Sequence, residues 1–195
     1  MRLISPAFLV LCLSAPTSHA ATADGAFAAD GIGSQSCSAF LEAAEGQDRQ
    51  ALGYYASWIE GFMTGVNVFR EDTFDITPWQ TSPLLMGKLG TYCAANPDLG
   101  VVVALGRLVA VLEPQRLTEP SETVQARAGG RAVAVPATVL ARVRDAIEAE
   151  TGQALSTPEG SFDADFATAL RSYQSARGLE ESGLPDQRTL NALFP

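Results

Sequence analysis

One eleven-residue phrase is written twice in the last sixty residues of the chain, first as Gly160 to Leu170 (GSFDADFATAL) and again as Gly183 to Leu193 (GLPDQRTLNAL). Both copies carry Gly at the first position, Asp at the fourth and Ala-Leu at the last two. Gly allows the tight backbone turn that ends a loop. An Asp three residues on can accept hydrogen bonds from the first free N–H groups of a helix. The Ala-Leu pair follows about two turns later, where it faces a core. The phrase therefore predicts two short helices with the same start signal inside one compact unit, a stapling or adhesion module rather than a catalytic scaffold.

The other end reads as a secretory leader. Arg2 supplies a positive start, Ile4 to Leu13 is mostly apolar, and Ser18-His19-Ala20 has the small-x-small form of a cleavage site, so a signal peptide over residues 1–20 is expected, cut after Ala20. The apolar run is too short for a membrane span. Bulky Leu11 beside Cys12 argues against a lipid acceptor. Without the leader, 13 basic residues become 12 against 22 acidic ones, a net charge of −10, and the one histidine, His19, is gone. Such a chain is a poor electrostatic partner for nucleic acid or anionic lipid. Ser-His and Cys-His catalysis and His-ligated zinc are excluded, and no cofactor, metal or catalytic residue is expected. Cys37 and Cys93 remain, and an even count in an exported chain reads as a disulfide. It would close a loop of 56 residues, worth roughly 4 kcal/mol in the chain-entropy model.

Residues 21–34 are rich in Gly and Ala and are expected to form a flexible arm. A helix fits Gln35 to Ala44. A second fits Asp48 to Val68, where Leu52, Tyr55, Ile59, Phe62 and Val66 mark a buried face. The same helix carries Gly53, Ser57, Gly61 and Gly65 at intervals of four. Three glycines cost roughly 0.5–1 kcal/mol each against Ala, and close approach of another helix, or of a ligand, is the expected compensation, helix packing being the plainer reading. Residues 69–81 read as an irregular polar connection with an exposed Trp79. Ser82 caps a third helix that ends before Pro97, and Asn96-Pro97 opens a fourth that runs to Leu112. Residues 113–135, with Pro114, Pro120, Gly129 and Gly130, read as a Pro/Gly linker, Arg131 to Val135 docking on a neighbour. Three helices follow: one opened by Pro136 and stopped by Gly152, one over Asp163 to Arg177, and one over Asp186 to Leu193. The expected fold class is all-α, a disulfide-stapled four-helix N-terminal domain (residues 35–112) plus a compact three-helix C-terminal module (residues 136–195).

Residues 136–195 resemble the peptidoglycan-binding module of the PG-binding-1 type. The matching residues are Gly160, Phe162, Asp163, Ala169-Leu170, Tyr173-Gln174, Gly178-Leu179, Gly183, Asp186, Thr189-Leu190 and Leu193. The pattern departs in the first helix, where Val143-Arg144 replaces a common Leu-Gln pair, and in the STPEG segment before Gly160. The resemblance implies a three-helix fold that binds peptidoglycan. Phe166, Leu170, Tyr173 and Leu190 are expected in its core. Arg171, Gln174 and Arg188 are the expected wall contacts, because guanidinium and amide groups donate to the carboxylates and acetamido groups of glycan strand and stem peptide.

Residues 36–112 resemble small exported helical proteins with two cysteines, the HdeA-type acid-stress chaperones and the Tai-type immunity proteins, through Ser36-Cys37, Phe40-Leu41, Trp58, Gly61-Phe62, Gly65, Tyr92-Cys93 and Asn96-Pro97. That likeness implies an envelope protein partner. A carboxylate-dependent hydrolase would need no histidine, with Glu60, Glu71, Asp72 and Asp75 available, but such an acidic run is usually solvated. The expectation is a non-catalytic periplasmic protein without a membrane anchor. The alternative is a chaperone or immunity-type protein whose C-terminal module is only structural.

Overall fold

Short-range capping sets most of the helix starts. The structure, a computed structural model, describes residues 22, 25–152 and 154–195; the leader lies outside the described residues. Ser36 accepts from the Ala39 N–H at the start of α1 (Cys37–Glu45). Asp48 accepts from Gln50 and Ala51 at the start of α2 (Arg49–Phe69). α3 spans Ser82–Ala95, with Pro83 in its first turn and Thr81, not Ser82, at the cap position. The Ser82 hydroxyl instead donates to Glu60 across to α2.

α4 (Val101–Leu112) begins later than Asn96-Pro97 suggests. The reason is tertiary. Pro97 and Leu99 carbonyls accept from Ser38 and Cys37 at 2.9 and 2.7 Å, and Val101 N–H donates to Gln35 at 2.9 Å. Residues 97–100 form a turn that ends in a β-bridge from Gly100 to Ser36, not helix, because they satisfy the free N–H groups at the start of α1. The Cys37–Cys93 disulfide joins α1 to α3. Around it Phe40, Tyr55, Ile59, Met63, Leu85, Leu89, Leu105 and Leu112 form the first apolar core.

Two segments expected to be loose are docked. A 3-10 turn at Gly31–Ser34 lies against Trp58, whose indole N–H donates to the Asp30 carbonyl at 3.1 Å. A Cβ on Gly33 would come within 2.0 Å of the indole ring, so the approach requires glycine. The expected linker holds an antiparallel hairpin, β1 (Thr123–Ala128) and β2 (Arg131–Pro136), with Val124 opposite Val135 and Ala126 opposite Val133. Gly129 and Gly130 have φ of 55° and 74°, the pair of left-handed residues that a two-residue hairpin turn needs. Ala126 and Val135 are buried, Val135 in the C-terminal core, while alternate residues face water. The fold is thus mostly helical, with seven α-helices and one two-stranded sheet among the described residues.

α5 (Ala137–Thr151), α6 (Ala164–Ala176) and α7 (Gln187–Leu193) complete the chain. Val139, Leu140, Val143, Ile147, Phe166, Leu170, Tyr173 and Leu190 build the second core. Trp79 belongs to it as well. The expectation of an exposed Trp79 is corrected: the side chain is 8 % exposed and its ring lies 6.3 Å from that of Phe194. Gln187 on α7 donates to the Trp79 carbonyl and accepts from Thr81 N–H at 3.0 Å. Arg142 on α5 donates to the carbonyls of Gln115 and Arg116. The polar connection therefore joins the two cores.

The glycine ridge of α2 finds no helix. A Cβ on Gly53, Gly61 or Gly65 would meet nothing within 4 Å, and Gly53, Ser57 and Gly61 are exposed. The expected close helix packing is absent among the described residues.

Candidate wall-binding module

Both copies of the repeated phrase fold by the same chemistry. Gly160 and Gly183 have φ of 69° and 66°, a region that glycine enters without strain. Each is also pressed against a neighbour. A Cβ on Gly160 would lie 3.1 Å from the Ala137 Cβ, and one on Gly183 would lie 2.9 Å from the Ala167 carbonyl oxygen. Three residues on, Asp163 accepts from Phe166 N–H at 2.9 Å and Asp186 from Thr189 N–H at 3.0 Å. Each carboxylate takes hydroxyl donors too: Thr157 on Asp163, and Ser182 and Thr189 on Asp186. The Phe166 N–H first, then the Thr157 hydroxyl, hold the Asp163 carboxyl below its ordinary value.

Gln174 lies at the centre of this arrangement and corrects one expected wall contact. It is 0 % exposed. Its Nε2 donates toward Ser182 Oγ, Leu184 O and Thr189 Oγ1 at 3.0, 3.0 and 2.8 Å, and its Oε1 accepts from Gly183 N–H at 2.8 Å. The amide is engaged inside the protein, where it ties the Gly183 turn to α6 and α7. Tyr173 is buried beside it with its hydroxyl unpartnered. Burial pushes the phenol upward, and Arg177 stacks 5.2 Å from the ring centre. Leu170 and Leu190 are core. Gly178, at φ 64°, follows α6 as the expected stop.

The two expected arginines differ in setting. Arg171 is half-buried with its guanidinium against Gly183. Arg188 is exposed on α7 and lines a groove of about 290 Å³ together with Leu179, Glu180, Asp186, Gln187 and Arg131. Arg131, from the hairpin, forms an ion pair with Glu180 at the groove. Both of those side chains are more than half exposed, so the pair adds little stability. Arg171 and Arg188 have no hydrogen bond or ion pair with the described residues, which leaves their donors open to a carboxylate or an amide oxygen. Sequence reading missed Arg131 because the hairpin that carries it to the module was read as linker.

Of the acidic residues considered for hydrolysis, Glu60 takes the Ser82 hydroxyl and the Asp75 carboxylate accepts from Thr77 N–H at 2.9 Å. Among the described residues, no group of three His, Cys, Asp or Glu side chains is placed to hold a metal ion, and no helix is long and apolar enough to cross a membrane.

Residues 149–193 match the family model described as a putative peptidoglycan binding domain. That span holds α6, α7 and both copies of the repeated phrase, with the last turn of α5. No curated protein and no solved structure matches the chain.

Proposed function

We propose that the protein is an exported, non-catalytic binding protein that attaches to peptidoglycan through its C-terminal module. The match over residues 149–193 carries this reading. The groove beside α7 supports it, because Arg188 stands there with free donors where a stem-peptide carboxylate or an acetamido oxygen can dock. Arg131 adds a second guanidinium at the same groove, and Arg171 a third beside Gly183. Export accords with the leader-like residues 1–20 and with the Cys37–Cys93 disulfide, which an oxidising compartment preserves. The N-terminal helices are then free to engage an envelope protein partner.

Sedimentation of the full chain with purified sacculi tests the reading. The wild type is expected in the pellet, and Arg188→Glu is expected to lower affinity roughly tenfold, the loss of one charge-assisted hydrogen bond. Recovery of the wild type wholly in the supernatant, where a proven wall module pellets, overturns it.

A second reading has its own observation. Trp79 sits in the module's core and Gln187 binds the Trp79–Thr81 backbone, so the module also acts as a buttress for the N-terminal helices. If it is only that, Arg188→Glu leaves sacculus binding and envelope position unchanged.

A further inference from the structure

We propose that the groove between α3, α4 and α7 is a second binding site, which takes an acidic peptide of about five residues, the stem peptide of the wall. This rests on the peptidoglycan reading for its source but uses a different surface. The groove has a volume of about 1000 Å³. It follows α3 from Leu84 to Asn96, a rise of about 18 Å at 1.5 Å per residue. An extended peptide advances about 3.3 Å per residue, so about five residues fill it.

Charge selects the occupant. The chain has 22 acidic residues and 13 basic ones, yet no carboxylate lines this groove, whereas Lys88 and Arg107 both do. Lys88 is the chain's one lysine. Neither cation has a hydrogen bond or ion pair with the described residues. The lining is largely apolar, with Leu84, Leu108 and Val111, which suits the methyl groups of alanine side chains.

Asn191 separates a peptide from an acyl chain. It lines the groove from α7, and its Oδ1 is buried without a donor. A buried acceptor left unpaired is costly. A peptide N–H can satisfy it once the amide turns toward the groove; a fatty acid brings a carboxylate for the cations but no donor for Asn191.

The test uses the full chain and a fluorescently labelled, N-acylated stem pentapeptide of alanine, γ-linked glutamate, diaminopimelate and two alanines, followed by anisotropy. Saturable binding that weakens as salt is raised is expected. Lys88→Gln with Arg107→Gln, or amidation of the peptide carboxyls, is expected to weaken it at least tenfold, with the fold checked by circular dichroism. Asn191→Ala is expected to weaken it several-fold. Absence of saturable binding, binding indifferent to the Lys88 and Arg107 changes, or occupancy by a long-chain fatty acid with no peptide bound would each overturn the proposal. Peptide binding through Lys88 and Arg107 by a chain that fails to sediment with sacculi would uphold this groove and remove the α7 groove.

Discussion

Gln174 shows how one side chain can look like a ligand contact in a sequence and prove to be a tie within the fold. A polar residue next to an aromatic one on a short helix reads equally as surface donor or internal clamp. Its four partners come from the loop and helix that follow, at separations of eight to fifteen residues, and their convergence is invisible until the chain closes. Gln174→Leu is expected to destabilise the protein by on the order of 3 kcal/mol, because Gly183 N–H, Leu184 O and the Thr189 hydroxyl lose a buried partner together. Urea unfolding of the variant measures it, and a loss below about 1 kcal/mol would mean that water replaces the amide. Arg188, by contrast, was legible as an exposed donor, since it follows the Asp186 cap by two positions on a helix whose inward residue is Leu190.

Among the elements, α2 and the hairpin departed most from expectation. Periodicity identified the inward face of α2 correctly at Tyr55 and Ile59, which are buried. It also suggested that the glycine ridge was covered, and that inference failed because a spacing of four says which residues share a face and nothing about what lies opposite. Gly61 sits in open helix with no unusual φ and no atom near a prospective Cβ. Gly61→Ala is therefore expected to stabilise the protein by about 0.5–1 kcal/mol through helix propensity. Thermal denaturation of the isolated full chain checks this, and destabilisation would show that the ridge is packed in solution. The hairpin was hidden for a different reason. Gly129-Gly130 among prolines reads as a helix breaker, although the Val124–Ala126 and Val133–Val135 alternation around it is strand-like.

For the molecule as a whole, acid should loosen the fold. Glu113 is held below its ordinary value of 4.5, first by the hydrogen bond from Arg70 and then by the charges of Arg70 and Arg116. Asp163 is held below 3.8 by its cap bonds. Both carboxyls are depressed in the folded state, so their contribution is complete above those ordinary values and is lost as pH falls through the lower folded ones. Stability is expected to decline below about pH 4.5. Asp163→Asn keeps a capping side chain but removes one of the titrations, so its unfolding midpoint should change less between pH 7 and pH 3 than the wild type's. An equal change in both would show that Asp163 carries none of the acid response. The two cores should respond together, because Trp79 from the N-terminal connection is packed in the C-terminal one.

What could be read from residue order alone was whatever depends on near neighbours. The capped starts at Asp163 and Asp186, the left-handed turns at Gly160 and Gly183, and the inward faces of the helices all arise within a few positions of the residues that signal them. The Cys37–Cys93 pairing was legible for another reason, since the two cysteines that follow the leader-like residues 1–20 allow one bridge. Packing settled the rest. The seat of Trp79, the grip of Gln187 on Thr81 from 106 positions away, the late start of α4 and the gathering of Lys88, Arg107 and Asn191 along one groove depend on surfaces that meet only when distant segments fold against each other. Local propensity carries no information about such meetings, because their free energy comes from apolar area and polar partners supplied by the other segment.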